Sequence, residues 1–455
     1  MFLVVQNYPF HAFGHLLLYI SPSNDENENS EFRKKIVIDI VKKTCAARPS
    51  IMELFKNLRR AFEIFRIFVV SAGDSSSVQK VQERVMEPDC ILMKELRFLR
   101  KIPIPAMNQP LEGDTANMIM LDNIEKKYSV AVGISRPMVI TVKGSDGIQR
   151  KLIFKREDLR QDSLVQQLFS VVNILLSKRY PNHPLRTYHV VPLSSNVGII
   201  EWCSKTQSLC EYLCGNDRKS GAHKQYYPND ITAYDARQQL HETRSRRGDL
   251  NATFVKICTQ IHPVFRHFFY DRYFDPCEWR EHINGYAISL AHWSIVGYVV
   301  GLGDRHLNNI LIDLEKGQLV HIDLGMLFEF SRRNLPIPER VPFRLTRDMV
   351  DPILLEGVYG KFYEFAAQTM QNLRDNEQVL IGLALVLTHD PLSSFSDIGR
   401  KDHFSSVAVC RLREKLAGKE NHVTMDAHQQ ISYLIKEATD PENLAQMFSG
   451  WMPFL

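Results

Sequence analysis

The segment GLGDRHLNNILIDLEKGQLVHIDLG, residues 301–325, is the most informative stretch of this chain. Its two apolar runs, Ile310-Leu311-Ile312 and Leu319-Val320, predict the strands of a short hairpin. One polar loop precedes the first strand, and a second polar loop follows the other. These loops carry four side chains suited to chemistry: Asp304, His306, Asn309 and Asp323.

The spacing of these side chains is typical of a phosphoryl-transfer site. Asp304 lies five residues before Asn309, the same offset as in the protein-kinase catalytic loop H-R-D-L-x-x-x-N. Asp323 follows Asn309 by fourteen residues, at the position of the kinase Asp-Phe-Gly. Phosphoryl transfer needs one carboxylate to orient the hydroxyl nucleophile and oxygen ligands to hold Mg²⁺ against the phosphates. We assign the first role to Asp304 and the second to Asn309 and Asp323.

The first loop reads Asp304-Arg305-His306, whereas protein kinases read His-Arg-Asp. His306 is close enough to Asp304 to act as a second base or to stabilise charge on the γ-phosphate. The division of labour between the two is open at this point. We expect Arg305 to brace the loop. The flanking motif residues are Gly303 in the catalytic loop and Leu324 and Gly325 at the start of the activation loop.

The composition is that of an ordinary globular protein, with 44% hydrophobic and 24% charged residues. The net charge of +4 gives no indication of nucleic-acid binding, and no nucleic-acid motif is present. The eight cysteines lack paired CxxC spacing, which argues against zinc and favours a reducing compartment. No apolar run approaches the ~20 residues of a transmembrane helix.

The first hundred residues predict a helical scaffold without catalytic features. One helix precedes Pro49, and a second follows it, with Ser50 and Glu53 as a capping box. Six residues of the first helix fall on one face and predict its buried side: Phe32, Ile36, Val37, Ile40, Val41 and Cys45.

From residue 130 the pattern changes to strands. Residues 139–142 and 152–155 predict a strand pair, and a helix follows from about 160 to 178. Lys155 ends the second strand, where its ammonium can reach nucleotide phosphates. Glu157 and Asp162 are both near enough in sequence to pair with Lys155, and the sequence does not decide between them.

Two further segments are candidates for contact with a nucleotide. The turn 133–137 could cover its phosphates, through Ser135 and Pro137, although it has no GxGxxG motif. A later strand leads to a predicted hinge, where Trp202 offers an aromatic face to adenine and the neighbouring backbone can pair with the base edge. The hinge residues are Glu201, Trp202 and Cys203.

Together these residues resemble the C-terminal part of the phosphatidylinositol-3-kinase-related protein kinases. The resemblance is specific because seven segments occur in the right order. They are GSDG…DLRQD, VVPL…GIIEWC, GAHKQYYPND, SIVGYVVGLGDRHLNNILI, LVHIDLG, VPFRLTRDMVD and DPENLAQMFSGW.

The resemblance implies an α+β fold: a two-lobed, protein-kinase-like catalytic domain of the PI3K/PI4K type with a helical N-terminal FAT-like extension and a C-terminal FATC segment. Gly450 and Trp451 fall in the FATC segment. The implied boundaries are 1–100 for the end of the FAT-like region, about 120–422 for the kinase domain (N-lobe about 120–200, hinge about 201–204, C-lobe about 205–422) and 423–455 for FATC.

The same resemblance implies a serine/threonine protein kinase that uses ATP and Mg²⁺, with Mn²⁺ as an alternative ion. Its substrates would be proteins with Ser or Thr followed by Gln, in DNA-damage checkpoint and repair signalling in the nucleus. It also implies DNA-damage sensor proteins that bind upstream of this chain, and a homodimer as a candidate assembly of the full-length form.

Two other functions compete with this interpretation. A phosphoinositide kinase has the same fold but needs a basic activation loop, and here Arg332, Arg333 and Arg340 form no dense block. A fragment that depends on a missing N-terminal region and acts as a scaffold is the second alternative. The apolar end near Trp451 could bind a partner or membrane, but we expect it to pack near the activation loop and support it.

Overall fold

The computed structural model describes residues 5, 7–20, 28–72, 82–110, 117–131, 136–216, 220–353, 355–389 and 401–455. The chain divides into two compact units. The first unit comprises Met1–Gln166 and Tyr188–Ser204, and the second comprises Gln167–Thr187 and Lys205–Leu455.

The first unit combines helices with a sheet. Its helices are α1 (Pro9–Ile20), α2 (Glu28–Ala47), α3 (Pro49–Ser71), α4 (Ile91–Lys94) and α5 (Leu96–Leu99). Its strands are β1 (Gln82–Val85), β2 (Leu121–Val130), β3 (Met138–Gly144), β4 (Gln149–Lys155), β5 (Val190–Ser194) and β6 (Val197–Glu201). Helix α6 (Arg160–Ser177) begins in this unit and ends in the second.

The second unit is mainly helical. Its further helices are α7 (Leu209–Cys214), α8 (Ala222–Tyr226), α9 (Ala233–Ser245), α10 (Leu250–Gln260), α11 (Arg266–Tyr270), α12 (Pro276–Val300), α13 (Phe330–Asn334), α14 (Arg347–Val350), α15 (Lys361–Asp375), α16 (Glu377–His389), α17 (Lys401–Leu416), α18 (Ala427–Thr439) and α19 (Pro441–Gln446). Its strands are β7 (Thr206–Ser208), β8 (Ile310–Asp313), β9 (Leu319–His321), β10 (Lys419–Glu420) and β11 (Val423–Thr424), and 3-10 turns lie at Asp351–Ile353 and Ser449–Trp451.

The sheet of the first unit has the order β1-β2-β3-β4-β6-β5, and all neighbouring strands are antiparallel. The strands predicted at 139–142 and 152–155 are confirmed as parts of β3 and β4. Lys155 is the last residue of β4 and lies opposite Gly198 of β6. The sheet therefore fixes the position of the Lys155 backbone on a central strand.

The N-terminal helices share one hydrophobic core with this sheet. The rings of Phe65 and Phe68 on α3 lie 5.6 and 6.1 Å from the ring of Phe154 on β4. Phe68 also contacts Tyr128 of β2, with 6.0 Å between ring centroids. The scaffold predicted for the first hundred residues and the strands that follow are thus physically continuous within this unit.

Two local predictions for these helices are wrong or incomplete. Helix α3 begins at Pro49 with Arg48 as its N-cap, so Ser50 lies inside the helix and is not its cap. On α2, Val37, Val41 and Cys45 are buried as predicted, because they face the shared core. The first two members of the predicted face stay outside that core: Phe32 is 64% exposed and Ile36 is 43% exposed.

The centre of the second unit is helix α12. All of its residues from Gly285 to Val300 are buried, as expected for a helix that is apolar on every side. Asp275 caps its first turn by accepting the N–H groups of Cys277 and Glu278, each at 2.9 Å. The predicted catalytic hairpin follows this helix and is confirmed as β8 and β9, with Ile310 opposite His321.

A buried cation connects α17 to the chain beyond the hairpin. The Lys415 side chain is 2% exposed, and its ammonium donates to the Glu329 carboxylate and to the Tyr298 carbonyl oxygen. Burial lowers the pKa of Lys415 to about 8, against the opposing effect of Glu329. Arg332 also contacts Glu329, at 3.1 Å. This side of the unit is therefore held by charge pairing as well as by apolar contact.

Replacing Lys415 by methionine should lower the free energy of unfolding by about 3 kcal/mol, because Glu329 then stays largely buried without its main cation. Adding Glu329→Gln should recover part of that loss, since no buried charge remains. Denaturant titration of the full chain measures both effects, with the exposed Lys419→Met as the control. An equal loss in the single and double variants would contradict the pairing.

Candidate active site

A left-handed residue at the end of α12 starts the first polar loop. Gly301 has φ +67°, and the N–H groups of Gly301 and Leu302 donate to the Tyr298 and Gly297 carbonyls in the last helical turn. Glycine takes this conformation without strain. A Cβ at this position would also lie 2.6 Å from the backbone nitrogen of Glu329. The glycine thus permits both the chain reversal and the close approach of the following segment.

Arg305 ties the two polar loops together. The residue is 4% exposed, and its guanidinium donates to the carbonyl oxygens of Gly303 and Ile322, each at 2.9 Å. A third bond goes to the carbonyl oxygen of Asp323. The N–H of Ile322 donates to the Asn309 carbonyl oxygen at 3.0 Å. These bonds bring Asp304, Asn309 and Asp323 to one end of the hairpin.

Asp304 and His306 lie beside each other on the first loop. Nε2 of His306 is 4.0 Å from Oδ2 of Asp304, too long for a direct hydrogen bond. Burial lowers the pKa of His306, and Asp304 opposes this effect only in part. Nδ1 of His306 is buried and has no hydrogen-bond partner among the described residues. The imidazole is therefore neutral near pH 7. Its Nε2 atom can exchange a proton with a polar group other than Asp304.

Asn309 and Asp323, the two predicted metal ligands, both have side-chain oxygen atoms. Nδ2 of the buried Asn309 donates to the Asp304 carbonyl oxygen at 3.0 Å, so its amide oxygen is the ligand atom it can offer. Asp323 offers a carboxylate. Oxygen donors fit a hard divalent cation, which often takes its remaining ligands from substrate phosphates and water. Among the described residues, no group of three or more His, Cys, Asp or Glu could hold a metal ion.

The strand that leads to Asp323 is anchored in the core. The ring of His321 stacks on Trp293, with centroids 4.4 Å apart, and burial lowers the pKa of this histidine well below its usual value. Trp293 in turn donates its indole N–H to the Leu319 carbonyl at 3.0 Å. Leu324 is 1% exposed, and Gly325 follows it half-buried. Asp323 is thus exposed between two buried residues, His321 and Leu324.

In the first unit, Lys155 forms an ion pair with Glu157. Their charged atoms are 2.5 Å apart, and the side chains are 23% and 37% exposed. Glu157, one of the two acids that the sequence left open, therefore pairs with Lys155. Asp162 lies in the first turn of α6, where a carboxylate interacts favourably with the helix dipole.

The predicted hinge residues follow β6 in the same unit. Glu201 accepts two bonds from His189, from its backbone N–H at 3.0 Å and its Nδ1 at 2.8 Å. The N–H of Trp202 donates to the Lys151 carbonyl at 3.2 Å, while its ring stays 40% exposed. Cys203 is half-buried and forms no disulfide. An exposed aromatic face is therefore available directly after the sheet.

The predicted phosphate-covering turn lies only in part within the described residues. Ser135 lies outside the described residues. Pro137 precedes β3, and its carbonyl oxygen accepts the N–H of Ala131 at 2.9 Å. Whether this turn contacts a nucleotide stays a prediction.

The C-terminal residues are buried in the second unit. Trp451, Met452, Phe454 and Leu455 are all at most 5% exposed, which excludes a free apolar end. A Cβ on Gly450 would lie 2.4 Å from the ring of Phe448, which is exposed.

Arg344 connects this tail to the catalytic loop. Its guanidinium donates to the carbonyl oxygens of Trp451 and Met452, each at 2.8 Å, and to that of Arg305 at 3.3 Å. Its Cζ lies 4.0 Å from the centroid of the Trp451 ring. Burial lowers the pKa of Arg344 to about 9, so it remains a cation near pH 7. The tail therefore packs against the segment after the hairpin, as expected.

Sequence reasoning missed Arg344 and Glu339. Glu339 accepts the backbone N–H of Asp304 at 3.0 Å. The sequence does contain an indication of the role of Arg344, because this residue is a single arginine between two apolar residues, Phe343 and Leu345. A charged residue inside an apolar run predicts a buried cation with dedicated partners.

Comparisons with known proteins identify the family of this chain. A family model described as phosphatidylinositol 3- and 4-kinase matches residues 149–397, and a FATC-domain model matches residues 424–455. Curated relatives include the serine/threonine-protein kinase ATM of Caenorhabditis elegans, 37% identical over 99% of this chain, and the serine-protein kinase ATM of Sus scrofa, 36% identical over 78%. The chain spans only 19% and 13% of the length of these two relatives.

Solved structures point to the same family. The open conformation of CtTel1 covers all of this chain with a TM-score of 0.87 at 28% identity, and the chain covers 17% of it. The FAT and kinase domain of CtTel1 gives a TM-score of 0.85 at 28% identity, with 100% of this chain and 32% of that one covered.

These matches confirm the α+β kinase-like fold class and the resemblance to the phosphatidylinositol-3-kinase-related kinases and, among them, to the ATM kinases. Among the described residues, no helix is both long and apolar enough to cross a membrane. Because the first family model covers more than half of its length, the chain belongs to the phosphatidylinositol 3- and 4-kinase family.

Proposed function

We propose that this chain is the catalytic part of a serine/threonine protein kinase that transfers the γ-phosphate of ATP to Ser or Thr followed by Gln. The observation that carries the proposal is that Asp304, Asn309 and Asp323 lie together at one end of a hairpin. Arg305 bonds to Asp323, and Asn309 bonds to the Asp304 carbonyl oxygen. The curated ATM relatives are protein kinases, which favours a protein hydroxyl over a lipid as the acceptor.

In this proposal, the Asp304 carboxylate accepts a hydrogen bond from the acceptor hydroxyl and turns its oxygen toward the γ-phosphate. His306, neutral because of its burial, is the second group that can take or return the proton. Its position 4.0 Å from Asp304 lets the two side chains share one hydroxyl. Proximity and orientation, more than a strong base, then account for the rate.

The family implies ATP and a divalent cation, for which we propose Mg²⁺, with Mn²⁺ as an alternative. Asn309 and Asp323 would hold the cation through their side-chain oxygens. When bound, it neutralises charge on the transferring phosphoryl group. In the first unit, Lys155 is the proposed contact to nucleotide phosphates, with Glu157 holding its ammonium at 2.5 Å. Trp202 offers its exposed ring to the adenine.

We further propose a role in DNA-damage checkpoint and repair signalling in the nucleus, because the relatives are ATM kinases. One solved relative is described as a complete CtTel1 dimer with C2 symmetry, which supports a homodimer for the full-length form of this protein too. Sensor proteins would bind upstream of the FAT-like helices.

The test of the proposed function is phosphate transfer from Mg²⁺-ATP by the purified chain. The acceptors are a Ser-Gln peptide, its Ser-Ala variant and phosphatidylinositol vesicles. We expect transfer to the Ser-Gln peptide, lost at least about 1,000-fold in Asp323→Ala because the metal loses its carboxylate. Asp375→Ala, at an exposed position on α15, is the matched control and should keep full activity.

Transfer to the vesicles alone would make the chain a phosphoinositide kinase. Equal transfer to both peptides would contradict the Ser/Thr-Gln preference. An inactive chain that still binds its partners would support the scaffold alternative.

The rate of transfer should fall with decreasing pH only below the ordinary histidine pKa of about 6.5. Burial lowers the pKa of His306, so the proton that disables it binds at a lower pH. His306→Asn should lower kcat by about 100-fold and remove this acid limb. The measurement is kcat between about pH 5 and 8. The control is His422→Asn at an exposed position. An unchanged limb in His306→Asn would assign the titration to another group.

A further inference from the structure

The backbone of Asp304 is held on both sides in a conformation that is uncommon for residues other than glycine. Its φ is +59°, in the left-handed region. Its N–H donates to Oε1 of Glu339 at 3.0 Å. Its carbonyl oxygen accepts Nδ2 of Asn309 at 3.0 Å. The direction of the Asp304 side chain therefore depends on these two partners.

Glu339 reaches this position through tight packing. It comes from the segment after α13 and is also bonded to the hydroxyl of Ser331, which is 2% exposed. A Cβ on Gly303 would lie 1.8 Å from Oγ of Ser331 and 2.6 Å from Oε2 of Glu339. Ser331 and Glu339 thus occupy the space beside the Gly303–Asp304 peptide, and only glycine at position 303 leaves room for them.

The environment of the Glu339 carboxyl group is unfavourable for folding stability, which favours a functional role for this residue. Burial raises the pKa of Glu339, while the Ser331 hydroxyl and the Asp304 N–H lower it. The nearby Asp304 carboxylate raises it further, as a like charge does. A carboxyl group that is desolvated beside a second acid is costly, and such arrangements concentrate at functional sites.

We propose that Glu339 is a positioning residue that sets the direction of the Asp304 carboxylate by holding its left-handed backbone. An ordered Ser331–Glu339 contact is then a condition for catalysis, and the segment after the hairpin controls the first polar loop through one hydrogen bond. This inference rests on the proposed function, in which Asp304 orients the acceptor hydroxyl.

The test compares two substitutions of Glu339. Glu339→Ala removes the acceptor oxygen and should lower kcat by about 100-fold, the effect of a small misplacement of a catalytic group. The KM for ATP should change less than about twofold, because the substitution does not touch the proposed nucleotide contacts. Glu339→Gln keeps an acceptor oxygen and should stay within about threefold of the unsubstituted chain. Glu364→Gln and Glu364→Ala, at an exposed position on α15, are the controls.

Hydrogen exchange of the peptide 302–309 supplies a readout that does not need activity. Exchange in this peptide should speed up in Glu339→Ala but not in Glu339→Gln, while the peptides of α12 stay protected in both. Equal kcat for Glu339→Ala and the unsubstituted chain, or equal damage in the Ala and Gln variants, would overturn the inference. If the unsubstituted chain transfers no phosphate, the proposed function fails, and unchanged exchange in Glu339→Ala would separately overturn the positioning role.

Discussion

The arrangement of the catalytic loop depends on one buried guanidinium, that of Arg344. Burying a cation costs several kcal/mol, so it persists only where charge-assisted hydrogen bonds and ring contacts offset that cost. Arg344 obtains them from the Arg305 carbonyl on one side and from the carbonyls and ring of the tail on the other. The loop that holds Asp304 and the tail that holds Trp451 therefore share one electrostatic anchor. Loss of either set of partners would leave the buried cation without compensating bonds. The order of the loop and the order of the tail therefore depend on each other.

Backbone strain concentrates in the region that this anchor supports. Four non-glycine residues between the start of the first polar loop and α13 have positive φ: Asp304 at 59°, Asp323 at 54°, Phe328 at 54° and Glu329 at 65°. Such conformations persist only where surrounding bonds over-determine them, and they cluster at functional sites. Here the surrounding bonds come from Arg305, Glu339 and Lys415, each with a buried or half-buried charge. The charges are thus arranged to fix a strained backbone.

The sequence predicted what depends on local pattern. The hairpin strands, the helix after Lys155 and the offset of Asp304 from Asn309 all follow from spacing within one or two elements. The long-range partners could not be predicted from the sequence. Arg344 bonds to carbonyl oxygens 107 and 108 residues away. Because every residue has a carbonyl group, no sequence pattern identifies these partners. The ion pair between Lys155 and Glu157 could be identified only from the geometry at the end of the strand. Predicting that Phe32 is exposed would have required knowing which elements pack against α2.

Since Arg344 joins the tail to the first polar loop, Trp451 should support catalysis through Arg344, and a double-mutant cycle in kcat measures this coupling. The variants are Arg344→Met, Trp451→Ala and the combination, all assayed on the Ser-Gln peptide with ATP binding measured in parallel. We expect each single substitution to lower kcat by about tenfold or more while ATP binding persists, and the double variant to be no worse than the poorer single one. Additive losses in the double variant, or unchanged turnover in Trp451→Ala, would contradict this expectation.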